Sequence, residues 1–131
     1  MAKRILLIDD DISVLEILEE VLTAKGFHTV TLTQTDKVFE AISEHQPELV
    51  LIDYLLQGIN GGEICAEIKR NKAKPIRVIL MTAYPRVLLS LGTYNCDEFL
   101  EKPFDLDHLI SRIEYHLDAD GAVQTGKINT V

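Results

Sequence analysis

Three uninterrupted apolar runs stand out along the chain: Ile5-Leu6-Leu7-Ile8, Leu49-Val50-Leu51-Ile52 and Val78-Ile79-Leu80-Met81. Runs of this length without alternation suit strands covered on both faces, as in a parallel sheet between two layers of helices. Two weaker stretches, His28-Thr29-Val30-Thr31-Leu32 and the short Phe99-Leu100, predict two more strands. Between the strands, apolar residues recur at helical spacing. They are Ile12, Leu15, Leu18 and Leu22, then Val38, Ala41 and Ile42, then Ile64, Ala66 and Ile68, and finally Leu106, Leu109, Ile110, Ile113 and Leu117. Lys25-Gly26 marks the end of the first helix, because Gly takes the left-handed conformation that closes a helix. Asp105 is placed to cap the last one. The segment with Val87, Leu88, Leu89 and Leu91 has Pro85 early and Gly92 late, which predicts a short or irregular helix. Strand and helix alternate, so the pattern predicts an α/β fold, an open doubly wound sheet of five βα units with right-handed crossovers.

Length and composition narrow this further. The chain has 131 residues, 47% hydrophobic and 26% charged, which suits one domain with a single hydrophobic core and excludes a disordered chain. Periodicity fades after about Asp118, so residues 1–117 are expected to form the domain and 118–131 a mobile tail or linker stub. Thirteen basic against 21 acidic residues give a net charge of -8, which repels phosphate backbones and anionic lipid, so no direct nucleic-acid or membrane contact is expected. Cys65 and Cys96 lie far apart in sequence with no metal-ligand spacing, and read as small buried thiols in a reducing compartment. Only four apolar residues separate Arg4 from Asp9, too few for a secretory or membrane segment, which places the protein in the cytosol.

In an open α/β sheet, ligands bind beyond the carboxyl ends of the strands. Those positions hold Asp9, Asp10 and Asp11 after the first strand, Asp53 after the third, Thr82 after the fourth, and Lys102 with Pro103 after the fifth. Carboxylates within ~4 Å of one another repel by roughly 4 kcal/mol per pair at an effective dielectric near 20, so such a cluster needs a proton or a cation. Mg²⁺ is the economical choice, since it takes oxygen ligands and binds through one or two carboxylates plus a phosphate. With the metal and Lys102 neutralising a phosphoryl group, Asp53 is the candidate nucleophile for an aspartyl phosphate, and Thr82 a hydrogen-bond partner for a phosphoryl oxygen. Asp11 is the member of the acidic run best explained as a helix cap.

At these residues the chain resembles the receiver domain of two-component response regulators, over about residues 3 to 117. Ile5-Leu6-Leu7-Ile8-Asp9-Asp10-Asp11 is similar to the family's first strand and acidic pair. Pro47-Glu48-Leu49-Val50-Leu51-Ile52-Asp53 with Gly58 and Gly61 resembles the phosphoacceptor segment and its loop. Met81-Thr82-Ala83 resembles the hydroxyl motif, and Phe99-Leu100-Glu101-Lys102-Pro103-Phe104 the switch aromatic with the lysine and its proline. The resemblance implies a flavodoxin-like fold with strand order 2-1-3-4-5. It implies phosphorylation of Asp53 by a histidine kinase, a phosphotransfer protein or a small phosphodonor. Mg²⁺ is then held by Asp10, Asp53 and the Leu55 carbonyl, with Asp9 acting through water. Thr82 turns toward the phosphoryl group, Lys102 pairs with it, and Phe99 moves inward with Thr82, reshaping a face for a downstream protein; a homodimer is among the assemblies this allows. The resemblance also implies a cis Lys102-Pro103 bond. Leu55 and Tyr84, two residues beyond Asp53 and Thr82, are expected to flank the phosphoryl group and slow its hydrolysis.

Some positions depart from the family pattern. Gln57 stands in place of a usual Pro, which loosens the loop after Asp53. Gly62 replaces a bulky apolar residue, which leaves the start of the third helix less anchored. Asn95 replaces a frequent Gly, and the stretch from Thr82 to Phe99 is slightly short. Three other readings use the same residues. An aspartyl-phosphate phosphatase of haloacid-dehalogenase type takes Asp9 as nucleophile but gives Asp53 no role. A flavin site needs a Ser/Thr/Gly-rich loop where this chain is acidic. A scaffold would bind its partner without phosphorylation.

Overall fold

The computed structural model describes residues 2–56, 59–71, 73, 75–84 and 95–122, with the backbone alone at Ile59 and at 119–122. The expected irregular helix at Val87–Leu91, with Pro85 and Gly92, lies outside the described residues, as do Gln57, Gly58 and residues 123–131. The elements run β1 (Arg4–Ile8), α1 (Ile12–Ala24), β2 (His28–Leu32), α2 (Val38–His45), β3 (Leu49–Asp53), β4 (Leu55–Leu56), β5 (Ile59–Asn60), α3 (Gly61–Arg70), β6 (Arg77–Thr82), β7 (Glu98–Glu101) and α4 (Leu106–Ala122). Five strands form a parallel sheet in the order β2-β1-β3-β6-β7, which is the expected 2-1-3-4-5 once the two-residue strands β4 and β5 are set aside. Those two pair antiparallel with each other.

Two-sided burial explains the apolar runs, and it divides the expected single core into two, one on each face of the sheet. Alternate side chains of one strand enter different cores: Leu6 and Ile8 pack with Val50, Ile52, Val78 and Leu80 under α2 and α3. Ile5 and Leu7 pack with Leu49, Leu51, Ile79 and Met81 under α1 and α4. A strand facing two helical layers has no position for a polar residue, hence no alternation.

The local signals act as expected at several ends. Asp11 caps α1, its Oδ1 accepting the Ser13 amide at 3.0 Å and the Val14 amide at 3.4 Å. Asp11→Ala is expected to cost about 1 kcal/mol of stability in chemical denaturation while leaving phosphoryl chemistry intact. At the other end of α1, Gly26 sits at φ 95°, with its amide donating to the Thr23 carbonyl and the Phe27 amide to that of Leu22. These paired bonds satisfy carbonyls that the helix leaves open. Asp105 caps α4 through a 2.9 Å bond from the Asp107 amide.

Other expectations are corrected. Ile12 is 60% exposed and does not join the core face of α1, while Ile64 is joined in the core by Cys65 rather than Ala66, which is only half-buried. The helix expected to end at Leu117 continues to Ala122, so residues 118–122 belong to α4 and not to a tail. The start of α3 is well fastened despite Gly62: Asn60 Oδ1 accepts the Gly62 amide at 2.7 Å, and the Gly61 amide donates to the Tyr54 carbonyl at 2.7 Å. Asn95 adopts φ 62°, a conformation that Asn tolerates better than most residues. Among the described residues, no helix is long and apolar enough to cross a membrane.

Candidate functional site

Sheet register brings the chemistry to one edge. Ile8 lies beside Ile52, Asp53 beside Met81, and Thr82 beside Glu101, so the residues following β1, β3, β6 and β7 emerge at the same end. Backbone bonds extend this alignment past the strands: the Tyr54 amide donates to the Met81 carbonyl at 2.8 Å, and the Lys102 amide to the Thr82 carbonyl at 2.7 Å. Lys102-Pro103 is a cis peptide, as expected.

Asp9, Asp10 and Asp53 each present a carboxylate oxygen within 4.8 Å of the others. Asp9 is 1% exposed and both of its oxygens are used: Oδ1 accepts the Asp11 amide at 2.9 Å and Oδ2 accepts Lys102 Nζ at 2.8 Å. Lys102 Nζ also lies 3.2 Å from Asp53 Oδ1, so a single amine bridges two of the three acids. Burial pushes the Asp53 carboxyl up to about 6, Lys102 opposes that rise, and the neighbouring charges of Asp9 and Asp10 add to it. Burial also works against the Lys102 charge, but the Asp9 hydrogen bond and the Asp53 and Asp9 charges outweigh it and hold the amine above the ordinary lysine value. One amine against three carboxyls leaves an excess of negative charge, and the all-oxygen donor set suits a hard divalent cation such as Mg²⁺.

Asp53 opens into a cleft of about 190 Å³ lined by Leu55, Thr82, Ala83, Tyr84 and Lys102. Leu55 and Tyr84 are 54% and 56% exposed and stand at its rim, so the two positions expected to flank the acceptor share its cleft. Thr82 is buried, and its Oγ1 accepts the Tyr84 amide at 2.9 Å. Phe99 is partly buried and packs against the core under α2 and α3. Behind Asp53, α3 begins so close to β3 that a Cβ on Gly61 would overlap the Asp53 carbonyl oxygen. Glycine there is a condition of the site's geometry.

A family model for the response regulator receiver domain matches residues 5–114. The chain belongs to the response regulator receiver family. Receiver domains are phosphorylation switches, and this one keeps the acidic pocket such chemistry requires. It is 35% identical over 118 residues to the DNA-binding response regulator MtrA of Mycolicibacterium paratuberculosis, an alignment covering 89% of this chain and 52% of MtrA. MtrA of Mycobacterium tuberculosis is equally similar, with 51% covered. The receiver chain thus spans about half the length of the curated relatives it matches. The solved response regulator TrrA from Thermotoga maritima, in complex with Mg²⁺–BeF, superposes with a TM-score of 0.78 at 30% identity, covering 87% of this chain and 98% of TrrA. A CheY-like receiver domain protein from Methanospirillum hungatei, 23% identical, matches with a TM-score of 0.82 over 92% of this chain and 98% of its own, a likeness of fold.

Several contacts had no signal in the sequence. Glu98 on β7 accepts Arg112 Nε at 2.7 Å, and lies 2.7 Å from Nε2 of the buried His116, fastening α4 to the edge strand. Burial raises the Glu98 carboxyl, but the Arg112 and His116 hydrogen bonds outweigh it and hold the group below its ordinary value. Cys65 and Cys96, distant in sequence, pack into the same core under α2 and α3. Contacts between residues on different elements leave no trace in local spacing.

Proposed function

We propose that Asp53 is the phosphoacceptor of this receiver and that the cluster around it carries out the transfer. The observation that carries the reading is the Lys102 amine bridging Asp9 and Asp53 at the rim of a cleft that also presents Thr82. An Asp53 oxygen attacks the phosphorus of a phosphohistidine or an acyl phosphate, the bond to the leaving nitrogen or oxygen breaks, and the phosphoryl group is left on the carboxylate. Asp10 and Asp53, with the Leu55 carbonyl and with Asp9 through water, would hold Mg²⁺, which when bound neutralises charge on the transferred group. The Lys102 amine exchanges part of its carboxylate pairing for a phosphoryl oxygen. The Thr82 hydroxyl turns from the Tyr84 amide to another, and Phe99 follows it inward. The transfer is self-catalysed in the sense that the acceptor carboxylate, the acids that would hold the metal and the Lys102 amine all belong to this chain.

A sensor histidine kinase or a phosphotransfer protein is the donor we assign, in the cytosol. An apolar cleft of about 520 Å³ lined by Val14, Ile17, Leu18, Pro103, Phe104 and Leu106 opens beside Lys102, which supports docking of a donor protein next to Asp53. The net charge of -8 opposes contact of these residues with a nucleic acid, whatever the DNA-binding relatives do with the rest of their length.

Incubation with acetyl phosphate and Mg²⁺ is expected to raise the intact mass by one phosphoryl group, and the gain should vanish without Mg²⁺ or in Asp53→Asn. Phosphorylation that ignores the metal, or survives that substitution, would refute the reading. The rim residues set the lifetime of the product: with Leu55 and Tyr84 screening the phosphorus from water, the double variant Leu55→Asn, Tyr84→Glu is expected to lose phosphate about tenfold faster, roughly 1.4 kcal/mol of barrier. Equal decay in the two proteins, followed by phosphate release, would remove the screening role.

A further inference from the structure

The one backbone oxygen in the proposed Mg²⁺ ligand set, the Leu55 carbonyl, belongs to a small hairpin. Leu55 lines the cleft over Asp53 and begins β4, which pairs antiparallel with β5, Leu55 opposite Asn60 and Leu56 opposite Ile59. The Gly61 amide donates to the Tyr54 carbonyl at 2.7 Å, and this bond fixes the alternation of the ladder. Leu55 and Asn60 are then the next, non-hydrogen-bonded pair, whose amides and carbonyls point away from the facing strand. The Leu55 carbonyl shares a planar peptide with the Leu56 amide, which the same alternation turns toward Ile59, so the carbonyl faces off the hairpin. Asn60 joins this hairpin to the helix that follows. It ends β5 in extended backbone, and its Oδ1 accepts the Gly62 amide at 2.7 Å, which caps α3. The first residue of that helix, Gly61, backs onto the Asp53 carbonyl. One side chain thus ties the strand facing Leu55 to the helix behind Asp53.

We propose that Asn60 is a positioning residue for the metal: by capping α3 it holds β5 in register against β4, and so aims the Leu55 carbonyl at the cation held by Asp10 and Asp53. The inference rests on the Mg²⁺ ligand set proposed above. Mg²⁺ demands near-ideal octahedral geometry, so a ligand that wanders is a poor one. A carboxylate reorients about its own side-chain bonds, whereas a backbone carbonyl turns only with its peptide plane. Here that plane is set by the β4–β5 ladder and by the bond from the Gly61 amide to the Tyr54 carbonyl. Without the Asn60 oxygen, the first turn of α3 loses the partner of one of its open amides, its start frays, and the hold of Gly61 on Tyr54 weakens with it. Asp9 and Lys102 keep their own hydrogen bonds, which do not run through the hairpin. The loss therefore falls on the metal's backbone ligand.

The test titrates magnesium chloride into the isotope-labelled full chain and follows the carbonyl carbon resonance of Leu55 by NMR. In the native protein that resonance is expected to move and to saturate with the metal. In Asn60→Ala the midpoint should rise about tenfold, the loss usual when the support of a metal ligand is removed. In Asn60→Ser, whose hydroxyl caps a helix in the same way, most of the affinity should return. Gly26→Ala loses stability at a distant helix end and should bind Mg²⁺ as the native protein does, which separates positioning from a general loosening of the fold. Equal midpoints in the native protein and Asn60→Ala, with the Leu55 carbonyl moving in both, would overturn the inference and leave the ligand set standing. Weakening of the same size in Gly26→Ala would overturn the positioning role as well. A Leu55 carbonyl that ignores Mg²⁺ in the native protein would overturn both the inference and the ligand set. If Asn60→Ala fails to fold by circular dichroism, Asn60→Gly decides in its place, since Gly is tolerated at a helix start without a side-chain oxygen.

Discussion

Asp53→Asn is expected to make the metal-free protein more stable by about 2 kcal/mol at neutral pH while abolishing phosphoryl uptake. Burial and two neighbouring acids push the Asp53 carboxyl from its ordinary 3.8 up to about 6, despite the Lys102 amine beside it. A carboxyl raised in the folded state binds its proton more tightly there than in the unfolded chain, so ionising it works against folding. Below about pH 4 the group is protonated in both states and the variant gains nothing. Between about pH 4 and pH 6 the unfolded chain releases its proton first, and native stability falls relative to the variant. Above pH 6 the difference is constant. At ~1.4 kcal/mol per pH unit the raised value sets a ceiling near 3 kcal/mol, and the amide's loss of the Lys102 ion pair lowers the net gain. Urea unfolding of both proteins across this range measures it. Mg²⁺ is expected to narrow the gap by stabilising the native protein, because a cation supplies the charge the cluster lacks. A variant less stable than the native protein at pH 7 would contradict this account of the site.

Gly61→Ala is expected to cost about 2–3 kcal/mol and to slow phosphoryl uptake. The new methyl would overlap the backbone carbonyl of Asp53, and neither neighbour is the flexible end of a side chain. The clash must therefore move α3 or the end of β3, at the cost typical of overpacking a filled interior. The same shift displaces the acceptor carboxylate, which should lower the rate of phosphorylation by acetyl phosphate in the folded variant. Gly26→Ala is the informative companion: Gly26 also needs its φ of 95°, but nothing lies near the added methyl, so that variant should lose stability without losing phosphoryl chemistry. If Gly61→Ala matched the native protein in both measurements, the close approach would have no functional role.

These expectations rest on features of unequal visibility in the chain. The apolar runs from Ile5, Leu49 and Val78 announced buried parallel strands because each contributes to both cores at once. Asp9, Asp53, Thr82 and Lys102 were legible as one site because strand ends in a parallel sheet converge, and the order of the motifs resembled the receiver family's. Ile12 misled because helical phase places it with Leu15, while in the fold it lies at the mouth of a separate cleft with Asp10, Thr33, Gln34 and Leu56. The continuation of α4 past Leu117 was hidden because a helix, once formed, adds residues through backbone bonds and needs no further apolar contacts. The Lys102 bridge, the Glu98–Arg112–His116 cluster and the two thiols depend on elements meeting across the fold, which spacing along one element does not encode.

The central claim is that the phosphoryl group resides on Asp53, and its position can be read directly. Phosphorylating the protein with acetyl phosphate and Mg²⁺, reducing the acyl phosphate with borohydride to homoserine, and sequencing the peptides by mass spectrometry would locate it. Homoserine at position 53 is the predicted result. Homoserine at position 9 would contradict it and favour the phosphatase reading. Phosphorylation with no homoserine at position 53 would contradict it as well.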